Sequence, residues 1–222
     1  MTGWILLALV GAMVAVDATS FPQVMISRPL VSGALGGLVF GRPLEGAVVG
    51  VILEVYHVGT LPIGAARHPE GGTAACAAAG GLAAAGLPAE APVVLVTVLL
   101  ALLWERVTGR SVDLGRRLNE RIVQVWRPGP DPDRELERRH LAAAGVDGIR
   151  GLVVTVSGAL ATLLAVRLAA AWPAQSTVAA AALGIAGAAV LGGTLDVFGG
   201  WREKGRTFLL GVACGLILLA VA

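Results

Sequence analysis

What most constrains this chain is how far it runs without charge. No Asp, Glu, Lys or Arg interrupts Met1–Val16, Pro29–Gly41, Val55–Ala66, Gly71–Ala89, Ala91–Trp104, Gly151–Val166, Leu168–Leu195 or Thr207–Ala222. Soluble domains carry about 25% charged residues; this chain has 14%, against 56% hydrophobic residues. So little charge cannot cover a water-facing surface, and the bilayer must be the solvent for most of the chain. A spanning helix takes about 20 residues, which leaves room for about six to eight apolar segments in 222 residues. The expected fold class is all-α, a polytopic membrane protein. The first apolar run lacks the basic n-region of a cleaved signal peptide and is read as an uncleaved membrane segment.

Most of these runs are short for a full crossing, and several are punctuated by glycine or proline: Gly33, Gly36 and Gly37 in one, Gly59, Pro62 and Gly64 in another. Broken or re-entrant helices in transporters have this pattern. Irregular backbone at membrane depth survives only when buried in protein or lining a wet cavity. Close helix packing on small residues is the plain alternative, but the charges embedded in the same region favour a pathway. Residues 1–104 are therefore read as an N-terminal membrane region with a re-entrant hairpin and a pathway. Residues 149–222 form C-terminal membrane helices. A turn at Trp172-Pro173-Ala174-Gln175 divides Gly151–Ala171 from Ser176–Phe198 as a helical hairpin.

The central segment, 105–148, differs. Between Glu105 and His140 lie nine arginines of the 17 basic residues in the chain. Such a loop stays on the cytoplasmic side. Seven acidic residues interleave with the arginines, which argues against a nucleic-acid patch. Leu114, Leu118, Ile122, Val125 and Trp126 recur at helical spacing, predicting an amphipathic helix on the membrane surface. Arg127-Pro128-Gly129-Pro130-Asp131-Pro132 ends it, and a second short helix is expected from about Arg134. With this loop inside, the next inward return falls at Arg202-Glu203-Lys204-Gly205-Arg206, again basic.

Ionisable groups inside apolar segments are costly and are functional candidates by default. Glu54 leads, with His57 three residues on and on the same helical face. A carboxylate there could accept hydrogen bonds from a polyhydroxylated ligand; a Glu–His pair tying helices together is the bland reading. Glu70 follows the Gly/Pro-rich stretch Pro62–Pro69, the expected tip of a re-entrant hairpin; a solvated Arg67–Glu70 surface pair is the alternative. Asp17 ends the first apolar run, at a pathway or at the interface. Glu45 sits three residues after Arg42, a local ion pair. Cys76 and Cys214 both lie in apolar stretches and read as small buried hydrophobes. No GxSxG, P-loop, GxGxxG or metal-ligand spacing occurs, so neither cofactor nor metal is expected.

Taken in order, several stretches resemble one family. Ser27-Arg28-Pro29-Leu30-Val31-Ser32-Gly33, Gly36–Gly41, Gly46 to Leu53-Glu54, Gly59 to Ala66 and Pro69-Glu70 are similar to the SRPLV-x-G, LGD, GxxLEL, LGxxPVGGA and PPD motifs of the IIC subunit of mannose/sorbose-type phosphotransferase systems. Arg116-Arg117-Leu118-Asn119 and Arg138-Arg139-His140-Leu141 resemble its cytoplasmic RRLN and LHL stretches. The resemblance implies a sugar-conducting subunit in a bacterial cytoplasmic membrane. It would form a hetero-oligomer with a IID membrane subunit and serve IIA/IIB cytoplasmic phosphocarriers, with phosphoryl transfer carried by IIB. It places the family's glutamate on Glu54 and its acidic residue after proline on Glu70. The chain departs from the family at Gly41-Arg42, where the family has Gly-Asp, and at Arg67-His68. A IIC-like protein with a regulatory or scaffolding role, and a small secondary transporter, are the other readings.

Overall fold

The computed structural model describes residues 1–58, 69–124, 131–170, 176–197 and 199–221. These form helices without strands: α1 (Thr2–Thr19), α2 (Pro29–Leu38), α3 (Pro43–His57), α4 (Gly71–Ala85), α5 (Ala91–Gln124), α6 (Pro132–Ala170), α7 (Ser176–Val197) and α8 (Gly200–Val221). Among the described residues, four helices are long and apolar enough to cross a bilayer: α1, α5, α6 and α7. The protein is thus an all-helical, multi-pass membrane protein.

The three helices between α1 and α5 do not reach across. At 1.5 Å per residue, α2 spans about 15 Å and α3 and α4 about 22 Å each, against a hydrocarbon core of about 30 Å. Proline begins both α2 and α3, a position where its missing N–H costs nothing. The expected glycine-broken helices in the N-terminal half are present as these short elements. The expected re-entrant tip, Pro62-Ile63-Gly64, lies outside the described residues, as do Arg67 and His68.

Small residues set the spacing. α2 and α3 run antiparallel with almost no gap: a Cβ on Gly33 would lie 2.8 Å from the Gly46 carbonyl oxygen and 3.0 Å from the Gly50 Cα. α4 then lies beneath α2 and against α6, and every residue from Gly72 to Ala83 is buried. An Ala/Gly helix is the narrowest available, so α4 can be surrounded on all sides. Val49 and Leu53 of α3, Ala75, Ala78 and Leu82 of α4, Val94 and Val98 of α5 and Val166 of α6 form the main apolar core. The Trp104 indole N–H donates to the Val154 carbonyl at 2.9 Å and fastens α5 to α6.

Two expectations change. Among the described residues of 105–148, the helices are extensions of α5 and α6 rather than a separate surface helix. α5 continues unbroken to Gln124, and α6 starts at Pro132 and runs for 39 residues. By the same rise these helices measure about 51 and 58 Å, so they project well beyond a bilayer. Leu118 and Ile122 line an open cleft with Ala142 and Val146 of α6, while Leu114 and Leu118 remain exposed. Val125 and Trp126 lie outside the described residues. In addition, α7 does not fold back on α6 as a hairpin; it packs against α5 and α3, where the Tyr56 hydroxyl donates to the Leu183 carbonyl. The turn at 172–175 is outside the described residues. The expected local pair is present: Arg42 meets Glu45 at 2.9 Å and also donates to the carbonyls of Gly86 and Leu87.

Candidate functional site

Helix ends converge at one level of the bundle. The C-termini of α1 and α3 and the N-termini of α2 and α4 meet residues 105–111 of α5 and 147–150 of α6. A Cβ on Gly71, at the start of α4, would touch His57 at 3.0 Å and Pro29 at 3.3 Å. Two helix N-termini thus stand side by side, each with N–H groups that a helix start leaves without intrahelical partners and a partial positive charge. Carboxylates gather around them.

Asp17, 2% exposed, accepts the backbone N–H of Val24 at 2.6 Å and of Ser27 at 2.9 Å. It therefore shapes the loop that delivers the chain from α1 into α2, and its side chain is buried within the protein. Glu54 reaches across to the start of α2. One oxygen accepts the Leu30 N–H at 3.3 Å and the other pairs with Arg28 at 2.5 Å. The Leu30 amide is one of the donors that a helix start leaves without a partner, and a carboxylate there also opposes the helix dipole favourably. Its side chain is 21% exposed, so it keeps an opening to the outside of the bundle.

His57 ties α3 to α5. Its Nδ1 lies 2.6 Å from the Leu53 carbonyl oxygen and its Nε2 3.2 Å from the Glu105 carboxylate. Glu105 is itself buried, 3% exposed.

Glu70 precedes the first turn of α4 and is not in a solvated surface pair. Arg150 of α6 donates to it at 2.7 and 3.4 Å, with both side chains under 10% exposed. Arg150 also meets Asp147 at 3.6 Å and donates to the Ser111 hydroxyl at 3.3 Å. Asp147 accepts the Ser20 hydroxyl at 2.6 Å, and the Thr108 hydroxyl donates to the Glu70 carbonyl at 2.9 Å. One continuous polar chain therefore runs from the end of α1 through α6 and α5 to the start of α4.

The structure brings Asp17, Glu54, His57 and Glu70 to one level, though each answers to a different partner. Sequence reasoning missed Glu105, Asp147 and Arg150. The available signal was their position: Glu105 directly follows the apolar run ending at Trp104, and Asp147-x-x-Arg150 directly precedes the run starting at Gly151. Among the described residues no cluster of His, Cys, Asp and Glu has the form of a metal site.

Residues 1–109 match the family of the sorbose-specific IIC component of the phosphotransferase system. The matched stretch, 109 of the 222 residues, is similar to that family. IIC components are membrane permease subunits of sugar phosphotransferase systems. The matched stretch contains Asp17, Glu54, His57, Glu70 and Glu105; Asp147 and Arg150 come from beyond it. Two solved structures share the fold along nearly the whole chain. One, described only as a membrane protein, is 16% identical with a TM-score of 0.73, covering 99% of this chain and 90% of its own. The other is a cryo-EM structure of the mannose transporter ManYZ in complex with microcin E492, 17% identical with a TM-score of 0.59 and the same coverage. No curated protein matches the chain.

Proposed function

We propose that this IIC-type chain is the sugar-translocating subunit of a mannose-type, phosphoenolpyruvate-dependent phosphotransferase system. It conducts a hexose-type sugar to a cytoplasmic IIB protein, which carries out the phosphoryl transfer. It works in a hetero-oligomer with a IID membrane subunit, in a bacterial cytoplasmic membrane. The observation that carries this reading is the meeting of two short-helix N-termini with Asp17, Glu54, Glu70 and Glu105 inside the segment that matches the family. Helix ends inside a bundle offer N–H donors and carboxylates offer acceptors, the two kinds of group a sugar hydroxyl uses. Glu54 is the proposed sugar contact because it alone of these buried carboxylates retains appreciable exposure. A hydrogen bond to a charged acceptor contributes about 1.5–3 kcal/mol.

One observation favours a second, structural reading: Glu54 already holds Arg28 and the start of α2. The two readings separate experimentally. On the transport reading, Glu54→Gln lowers uptake moderately and Glu54→Ala abolishes it while the protein remains in the membrane. On the structural reading, Glu54→Ala gives little assembled complex, and what survives binds sugar normally. Sugar binding and uptake are measured per assembled complex. Wild-type values from Glu54→Ala reject Glu54 as the sugar contact.

The projecting arms of α5 and α6 are assigned to the cytoplasm. Ser111 is a poor reporter of this, because its hydroxyl is engaged with Thr108 and Arg150. Glu137 is exposed. A single cysteine at Glu137, with exposed Cys214 changed to serine, is expected to resist an impermeant maleimide in intact cells and to react after permeabilisation. Full reaction in intact cells would reverse the orientation.

A further inference from the structure

A polar cavity of about 270 Å³ opens between the end of α1 and the projecting parts of α5 and α6. Thr19, Ser20, Arg116, Asn119, His140 and Asp147 line it. Asp147 forms the floor, 5% exposed, with the Ser20 hydroxyl donating to it. The side-chain oxygen of Asn119 is buried and has no hydrogen-bond partner. Buried polar atoms in that condition are rare, and each calls for an explanation such as an absent ligand or water. Arg116 and His140 stand exposed at the rim.

The cavity is therefore polarised. Its floor accepts hydrogen bonds and carries negative charge; its rim donates and carries positive charge. A small polyol with an anionic group at one end fits that order. Its hydroxyls donate to Asn119 and Asp147, and its anion pairs with the guanidinium, which binds phosphate through two parallel hydrogen bonds. The floor carboxylate repels a phosphate and so fixes which end enters first.

We propose that this cavity binds a monosaccharide phosphate, hydroxyls inward and phosphate at Arg116 and His140. The assignment rests on the transport reading above, in which sugar meets a phosphoryl donor on the side where α5 and α6 project. It goes further, because it gives that side a site of its own. Through Asp147 and Arg150 the cavity also connects to Glu70 and the start of α4.

The test is calorimetric titration of the full-length protein, with any subunit that co-purifies, against mannose 6-phosphate, mannose and inorganic phosphate. Mannose 6-phosphate should bind about tenfold or more tighter than either fragment, because only it engages both ends of the cavity. Arg116→Gln with His140→Gln should lower its affinity to that of mannose. Asn119→Leu should weaken mannose 6-phosphate and leave inorganic phosphate unchanged. Absence of binding by folded wild-type protein at millimolar ligand, or equal binding by the double variant, overturns the proposal. A phosphoglycerol lipid headgroup has the same chemistry, and nanodiscs with and without phosphatidylglycerol separate the sources. Unchanged mannose 6-phosphate affinity supports the soluble ligand; competition by the anionic lipid overturns it. Glu54→Ala should lose uptake yet keep this binding. If wild-type protein transports no sugar but binds mannose 6-phosphate here, the transport reading fails and the cavity assignment stands.

Discussion

Arg150→Met is expected to destabilise the folded protein by about 3–5 kcal/mol, the cost of removing one partner from a buried ion pair. Methionine replaces most of the stem, so lost packing contributes little. What remains is Glu70 and Asp147, both under 10% exposed, facing one another without the guanidinium between them. The thermal midpoint and folded yield in detergent measure the effect. A double-mutant cycle with Glu70→Gln isolates the pair, and a coupling of about 1–3 kcal/mol is expected for charges in direct contact. Glu70→Gln alone should cost less than Arg150→Met, because Arg150 keeps Asp147 as a counter-charge. An Arg150→Met protein as stable as wild type would show that the pair is not a determinant of the fold.

Gly46→Val should be the second severe change. A Cβ at Gly46 would run into the Gly33 carbonyl oxygen and stand 2.9 Å from the Gly37 Cα. Backbone cannot move aside as a side chain can, so α2 and α3 must separate. Overpacking costs about 1–3 kcal/mol where side chains can adjust, and here they cannot. The loss extends to Glu54, whose contact with Leu30 needs the same close approach. Gly184→Val on α7 is the control: nothing lies within 4 Å of its added carbon, so a change within about 0.5 kcal/mol is expected. Fluorescence-detected size-exclusion profiles of the two variants make the comparison. A monodisperse Gly46→Val peak at wild-type yield would refute the tight α2–α3 contact.

The architecture was legible because charge scarcity accumulates over many residues and does not depend on any one. The short helices were legible for a related reason: Gly33, Gly36 and Gly37 fall within ten residues that also begin with proline. Partners were not legible. Glu54 is conspicuous as a charge in an apolar run, but Leu30 lies 24 positions away and nothing local points to it. Arg150 and Asp147 stand just outside the apolar run that starts at Gly151. Hydropathy finds where such a run ends, not how deep that end sits among other helices. The stripe of Leu114, Leu118 and Ile122 predicted a helix, and that helix is the continuation of α5. A periodic apolar face records a helix, not whether that helix stands alone or prolongs a spanning one.

The complete burial of α4 has a consequence for how the protein is made. A segment of alanine and glycine has little drive of its own to partition into lipid, and α4 offers no side to lipid once folded. Part of its enclosure comes from α2 and α3, synthesised earlier, but Gly81 seats against Ala159 and Thr162 of α6, synthesised much later. At roughly 5–20 residues per second, α4 must wait several seconds after leaving the ribosome before its last wall exists. Residues 1–109, although they match a family by themselves, are therefore not a unit that can mature alone. A nascent chain stopped after α5 carries a helix with nowhere to settle, and it should be recognised and degraded as unfinished.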